Sequence, residues 1–286
     1  MLRKYCLRTA LAAALLLLIL TSLVGLRIVI SKNLSWKIPQ EKHVLFLGAS
    51  HVKRGIDDSI TKSGYNMANS SERYLFTYLK LKSLLKDNPQ IDQLFLQCAP
   101  TDLWEHADDK YFAENEQSLY IPTFFPFFSK EELDVYKDDP IQFCTMIIHS
   151  LLDFEYYHPQ HNKKLLGGYV RDYKAFIKMN PKEVEPKMME GKGGNTINRH
   201  YLHRIIDLAK SHHVSIHLVY CPVYHPEYFY DQDDFYEAYK KEFSDIELLD
   251  YSHWPVADDE RIDAHHLNNQ GAQRFTKELM ERFHFN

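Results

Sequence analysis

A three-layer α/β/α sandwich around a mostly parallel sheet, preceded by one N-terminal transmembrane helix, is the architecture that three features of the sequence predict. From residue 44 onward, short apolar runs bounded by turn residues alternate with stretches of helical periodicity, and strands separated by helices pair in parallel within one sheet. The first such run, Val44-Leu45-Phe46-Leu47, ends abruptly in Gly48-Ala49-Ser50-His51, as a buried central strand presenting a side chain at its C-terminal edge would. The opening thirty residues differ in kind: Thr9 to Leu26 carries no charge and is mostly Leu and Ala, behind Arg3, Lys4 and Arg8.

At about 1.5 Å per residue that segment, extended by Ile28-Val29-Ile30, reaches most of a ~30 Å hydrocarbon core. A basic start and a Leu-rich centre also suit a cleaved signal peptide. No small-x-small cleavage site follows, however, and the run exceeds the ~7–15 apolar residues of such a peptide. Residues 1–32 are therefore read as a cytoplasmic basic start and a retained anchor. The excess of cations before the run places the remainder outside the cytoplasm, in the periplasm if the cell is a Gram-negative bacterium. Residues 33–286 are read as a single α/β domain with an irregular insertion at about 105–195.

The full chain has 286 residues, 45% hydrophobic and 26% charged, and a net charge of −5 that includes the basic start. An acidic body lacks the basic stripe that nucleic acid requires, so that partner is excluded. Of the four cysteines, Cys6 precedes the apolar run, while Cys98 and Cys221 each end an apolar stretch and are candidates for a disulfide in an oxidising compartment. Three cysteines beyond the anchor do not make a disulfide scaffold.

In chain order, Ser31 to Lys42 reads as a polar tether and Val44–Leu47 as the first strand. Val52 to Asp58 reads as turn rather than helix, and Tyr65 to Asn69 as a short second strand. Tyr74, Leu75, Tyr78, Leu79, Leu81, Leu84 and Leu85 make a helical stripe with a Ser/Asn cap near Ser70, stopped by Asn88-Pro89. Leu94 to Cys98 is the next strand. Tyr111 to Phe128, rich in aromatics and broken by Pro122 and Pro126, suits neither helix nor strand and reads as an irregular loop that packs on the body or covers a site. Pro140 to Phe154 reads as a buried helix, and residues 162–196 as an exposed excursion whose Gly191-Lys192-Gly193-Gly194 lacks the spacing of a phosphate loop. A helix over 197–209, a strand over 214–220, a helix over 235–243 capped by Asp233 or Asp234, a strand over 246–249 and an amphipathic helix with Ala272, Phe275, Leu279 and Phe283 complete the alternation.

Before that last helix stands Asp263-Ala264-His265-His266-Leu267-Asn268-Asn269-Gln270-Gly271-Ala272. An aspartate three residues before a histidine can hold its imidazole, and an acid-held imidazole is what a serine nucleophile needs. In a parallel sheet the Ser50 loop and the His266 loop open on one edge. Ser50 alone would more often close a turn or cap a helix; its pairing with Asp263 and His266 is what argues for catalysis.

Together, Gly48-Ala49-Ser50-His51 and Asp263-x-x-His266-Leu267-Asn268 resemble the two terminal motif blocks of the SGNH, or GDSL-type, hydrolase superfamily. The likeness is to membrane-anchored extracytoplasmic members related to alginate O-acetyltransferases and the D-alanyl transfer protein of teichoic acids. The resemblance implies Ser50 as nucleophile, His266 as base and Asp263 as its orienting acid. It implies no cofactor. The chain departs from the family at Ala49, where aspartate is usual, and after the middle strand, where Leu96-Gln97-Cys98-Ala99-Pro100-Thr101-Asp102 offers no oxyanion-hole asparagine. Substitute donors are the Ser50 N–H and the side chains of Asn69 and Asn66, with His51 a candidate for substrate contact. A metal site on Asp263 and His265 lacks a third ligand of suitable spacing, so no metal is expected.

The expected activity is that of a serine esterase or O-acyltransferase acting on ester groups of an envelope glycan. The chain would hold the membrane through its N-terminal helix and take acyl groups from that substrate or from a membrane acyl-donor protein. The alternative is a non-catalytic protein of the same fold that binds a glycan or a membrane partner.

Overall fold

The computed structural model describes residues 2–104, 107–111, 120–153, 166–174, 195–226 and 232–286. In chain order the elements are α1 (Leu2–Lys32), β1 (Val44–Leu47), α2 (Ser50–Gly55), β2 (Gly64–Asn66), α3 (Tyr74–Asp87), β3 (Gln93–Gln97), α4 (Pro100–Leu103), α5 (Tyr120–Phe124), α6 (Lys130–Asp134), α7 (Pro140–Leu152), α8 (Thr196–Ser211), β4 (Ser215–Tyr220), α9 (Gln232–Glu242), β5 (Leu248–Asp250) and α10 (Asn269–Phe283). They form two compact units: Met1–Ser35 with Ser118–Leu165, and Trp36–Gln117 with Leu166–Asn286. The inserted stretch thus contributes residues 118–165 to the first unit. Gly191 to Gly194 lie outside the described residues.

The larger unit is the α/β sandwich. Its five strands run parallel in the order β2-β1-β3-β4-β5. Chain direction across the sheet reverses between β1 and β3, and such a switch point opens a crevice at the strands' C-terminal ends. All four residues of β1 are buried, and Phe46 and Phe95 stack at 5.3 Å in the core with Phe275 and Leu279 of α10. Each such buried aromatic or aliphatic side chain contributes about 1.5–3 kcal/mol. Burial on both faces is why these strands read as continuous apolar runs.

Several local expectations are corrected. Val52 to Gly55 is helical, since α2 starts at Ser50; its i, i+4 pair Val52 and Ile56 is fully buried in the cluster that includes α10. The second strand is shorter and earlier than 65–69. The helix expected from Ser70 begins at Tyr74, and its N-cap Arg73 makes no capping bond. Its orphan amides are met from a distance instead: Asn198 Oδ1 accepts from Tyr74 N–H and the Tyr111 hydroxyl accepts from Leu75 N–H. Asp233 and Asp234 fall inside the first turn of α9 rather than capping it. The tether is partly docked, because Asn88 bonds the Ile38 N–H and the Trp36 carbonyl and buries both side chains. Cys98 and Cys221 are free, buried thiols, and burial raises the pKa of both.

In the other unit, α1 is long and apolar enough to cross a membrane. The aromatic stretch is helical where described: α5 is followed by one 3-10 turn over Phe125–Phe127. Phe128, Tyr136 and Phe143 stack face to face at 4.9–6.1 Å. Near the end of α1, Arg27 is buried and donates from Nη2 to the Pro122 carbonyl. The helix read as buried over 140–154 is α7, which ends at Leu152 and leaves half of its surface open.

Candidate active site

Ser50 is placed by the turn between β1 and α2. Gly48 has φ +135°, and a Cβ there would lie 2.3 Å from Gln97 Cβ, so only glycine fits this crossing of β3. Gln97 then clasps the turn. Its Oε1 accepts from the Ala49 and Val52 N–H groups at 3.1 and 3.4 Å, while its Nε2 donates to Asp102 Oδ2 at 3.2 Å.

The opposite wall is the loop before α10. Ile262 N–H donates to the His266 carbonyl and Asn268 N–H to the Glu260 carbonyl, which pinches residues 260–268 into a tight loop anchored by buried Leu267. Asn268 caps α10 by accepting from Gln270 and Gly271 N–H. Inside the loop, Asp263 Oδ1 accepts from the His265 and His266 N–H groups at 2.8 and 2.9 Å. Both its oxygens lie 3.0 Å from His266 Nδ1, and His266 Nε2 lies 2.8 Å from Ser50 Oγ.

A carboxylate can only accept, so this chain of contacts assigns the proton to Nδ1 and leaves Nε2 free to receive one from the serine. Partial burial alone would push the Asp263 carboxyl up. The His266 bond and charge and the His265 N–H outweigh it, holding the group down at about 2. His265 is pulled down by burial and by the neighbouring His266.

The triad opens on a small cleft of about 190 Å³. Ala49 is the one apolar residue among those described that line it; the rest include His51, Ser71, Arg73, Thr101 and His265. His51 lies beside the triad, its ring 5.5 Å from that of His266 and stacked at 6.3 Å on that of His265. The two asparagines do not reach the cleft. Asn66 donates to the Val52 and Ile56 carbonyls and accepts from Ala68 N–H, and Asn69 Oδ1 accepts from Lys53 Nζ and Ser70 N–H. Both are buried and hold the β2 loop, and neither lines the cleft; the Asn66 amide nitrogen is taken up by two backbone carbonyls.

Arg73 was missed by sequence reasoning, although it is the cation in the cleft wall. Its side chain is 4% exposed, its Nη1 donates to the Thr101 carbonyl at 3.2 Å and faces Asp102 at 3.6 Å, and its buried Nε has no partner among the described residues. Nothing local marks an arginine before a helix as buried. Gln97 did carry a signal, being a buried polar residue directly after the apolar run Leu94-Phe95-Leu96. Among the described residues no cluster of three metal-ligating side chains occurs.

No family model and no curated protein matches the chain. Among solved structures, it is similar to a protein provisionally described as a platelet activating factor from Streptococcus pneumonia, with 14% identity, a TM-score of 0.44 and coverage of 96% of this chain and 98% of that one. It is also similar to a protein provisionally described as an acylhydrolase from Bacteroides fragilis, with 10% identity, a TM-score of 0.39 and coverage of 88% and 91%. A GDSL-like lipase from Bacteroides thetaiotaomicron matches with 11% identity, a TM-score of 0.38 and coverage of 88% and 94%. At such identities and scores these likenesses carry no argument about activity, which rests on the cleft itself.

Proposed function

We propose that the chain is a membrane-anchored serine esterase or O-acyltransferase of SGNH type, acting outside the cytoplasm on short acyl esters of an envelope glycan. The observation that carries the reading is the unbroken line Ser50 Oγ, His266 Nε2, His266 Nδ1, Asp263, assembled from loops 216 residues apart in sequence. The cleft's size and polar lining favour a short acyl group on a hydroxylated carrier over a long lipid chain.

In the first half-reaction Ser50 Oγ attacks the ester carbonyl carbon as His266 Nε2 takes the hydroxyl proton. The carbonyl π pair moves to oxygen. We assign the Ser50 N–H and the Arg73 guanidinium, which line the same cleft, as donors to that oxyanion, in the role an asparagine has in the family. Collapse breaks the ester C–O bond, the departing alcohol takes the proton from His266, and the acyl group remains on Ser50. Water or a sugar hydroxyl then repeats the sequence in reverse, giving hydrolysis or transfer. For transfer, the acyl group comes from an ester substrate or a membrane acyl-donor protein.

The test is hydrolysis of p-nitrophenyl acetate by the full chain in detergent, with Ser50→Ala and His266→Ala as comparisons. Activity present in wild type and lost in both variants supports the serine site. Wild-type turnover no higher than either variant, together with no fluorophosphonate label on Ser50, overturns it and leaves the alternative of a non-catalytic glycan-binding or partner-binding protein.

A further inference from the structure

We infer that α7 is a second membrane element, lying in the plane of the bilayer surface with its outward face in the acyl-chain boundary beside α1. The inference rests on α1 being a membrane anchor. Four observations in the smaller unit carry it. First, α7 leaves apolar side chains uncovered. Met146 and Leu151 are buried against the unit, yet Ile141, Cys144, Ile148 and Leu152 face outward beside the uncharged Thr145 and the exposed His149, with Ile141 79% and Leu152 63% exposed. A helix whose apolar side chains stand on both its inner and outer faces suits a core or a lipid boundary, and this one is half outside its core.

Second, α7 packs on α1 and on α5, which sets its uncovered apolar side chains in the same compact unit as the exposed apolar surface of the anchor. Third, its 13 residues span about 20 Å, too short to cross a ~30 Å hydrocarbon core. Fourth, acidic residues stand at both ends, Asp138 and Asp139 before it and Asp153 after it. Charges at both termini keep both ends at headgroup level, which lays the helix flat instead of letting it plunge. The stacked Phe128, Tyr136 and Phe143 brace it from the protein side. Because the flanking charges are acidic, anionic headgroups are not what holds it: the occupant is the acyl-chain boundary of any fluid bilayer.

The experiment uses the full chain with Cys6→Ser in phosphatidylcholine nanodiscs. Cys98 and Cys221 are buried, which leaves Cys144 to take an environment-sensitive NBD label. The expected result is a blue-shifted emission quenched about twofold more by lipid carrying a doxyl group near the headgroup than by lipid carrying it near the chain end. Adding phosphatidylglycerol is expected to leave the ratio unchanged. A label on Asp138→Cys in a Cys144→Ser background is expected to stay quenchable by aqueous iodide.

A label on Leu16→Cys in that same background reports α1 separately, through quenching by the deep doxyl lipid. Deep quenching at residue 16 with an iodide-accessible Cys144 overturns the inference alone. No quenching at residue 16 overturns the anchor, and the inference falls with it. A Cys144 label shielded from both iodide and doxyl lipid means that protein covers the outward face, which also overturns it.

Discussion

Two sets of charged and polar side chains lie close together in the larger unit, and they are built on opposite rules. Behind the β2 loop, Lys80 Nζ meets Glu72 Oε2 at 2.5 Å and the Met67 carbonyl at 2.7 Å, and Thr77 donates to the other Glu72 oxygen. Both charged side chains are wholly buried. Burial pushes the Glu72 carboxyl up and the Lys80 ammonium down, each against the pull of its partner. In the cleft, Ser50, His266 and Asp263 are bonded in one line and open to solvent on the other side, with the His266 and Asp263 side chains 20% and 46% exposed. A buried pair closed off from solvent can only hold a loop in place. A bonded line with one open end has somewhere to send a proton.

The contrast can be tested from its largest effect downward. Replacing Ser50 or His266 by alanine is expected to lower kcat on p-nitrophenyl acetate by about 10⁴-fold or more, with melting temperature nearly unchanged because neither side chain fills core volume. Asp263→Asn is expected to cost about 10³–10⁴-fold in kcat, since an amide facing Nδ1 favours the wrong imidazole tautomer; steady-state kinetics at saturating ester read this directly. The buried pair predicts the reverse pattern. Lys80→Met leaves Glu72 buried without its cation and is expected to cost about 3–5 kcal/mol in urea unfolding, while kcat per folded molecule stays near wild type. Adding Glu72→Gln to Lys80→Met recovers part of that loss.

Arg73 stands between the two sets, buried like the one and lining the cleft like the other. Arg73→Gln is expected to lower kcat by about 10²–10³-fold with a smaller change in KM, the mark of a donor to the transition state. A fall in stability with unchanged kcat would assign it to the structural set.

The smallest effect is in pH. Asp263 is held below its ordinary value near 3.8, at about 2, so its charge stabilises the fold above the unfolded-state pKa and that contribution is lost as pH falls through the folded one. The melting-temperature gap between wild type and Asp263→Asn therefore narrows as pH drops from about 4 towards 2.

Sequence carried the site's ends better than its middle. Ser50 and the pair Asp263 and His266 were legible because each lies in a contiguous motif whose chemistry depends on neighbours in the chain. The parallel alternation was legible because β1, the centre of β3 and the C-terminal half of β4 are buried apolar stretches closed by Gly, Ala or Pro within a few residues. The donors were not. Asn66 and Asn69 stand where a donor is wanted, but their side chains turn inward to backbone and Lys53, and rotamer choice of that kind is decided by tertiary packing. Arg73 becomes a cleft residue only because α3 starts three residues later than its Ser/Asn signal suggests and finds its cap in Asn198, a residue 124 positions away. The half-open α7 was misread for a related reason: apolar periodicity reports aversion to water and does not distinguish a protein core from lipid.

The grip of Gln97 on Ala49 and Val52 reaches into the protein's timing. One amide oxygen on β3 holds two N–H groups of the serine's turn, so in deuterated solvent the Ala49 and Val52 amides are expected to exchange more slowly than in a Gln97→Ala variant. If Ser50 is the nucleophile proposed above, it is then already held in place before an acyl group arrives.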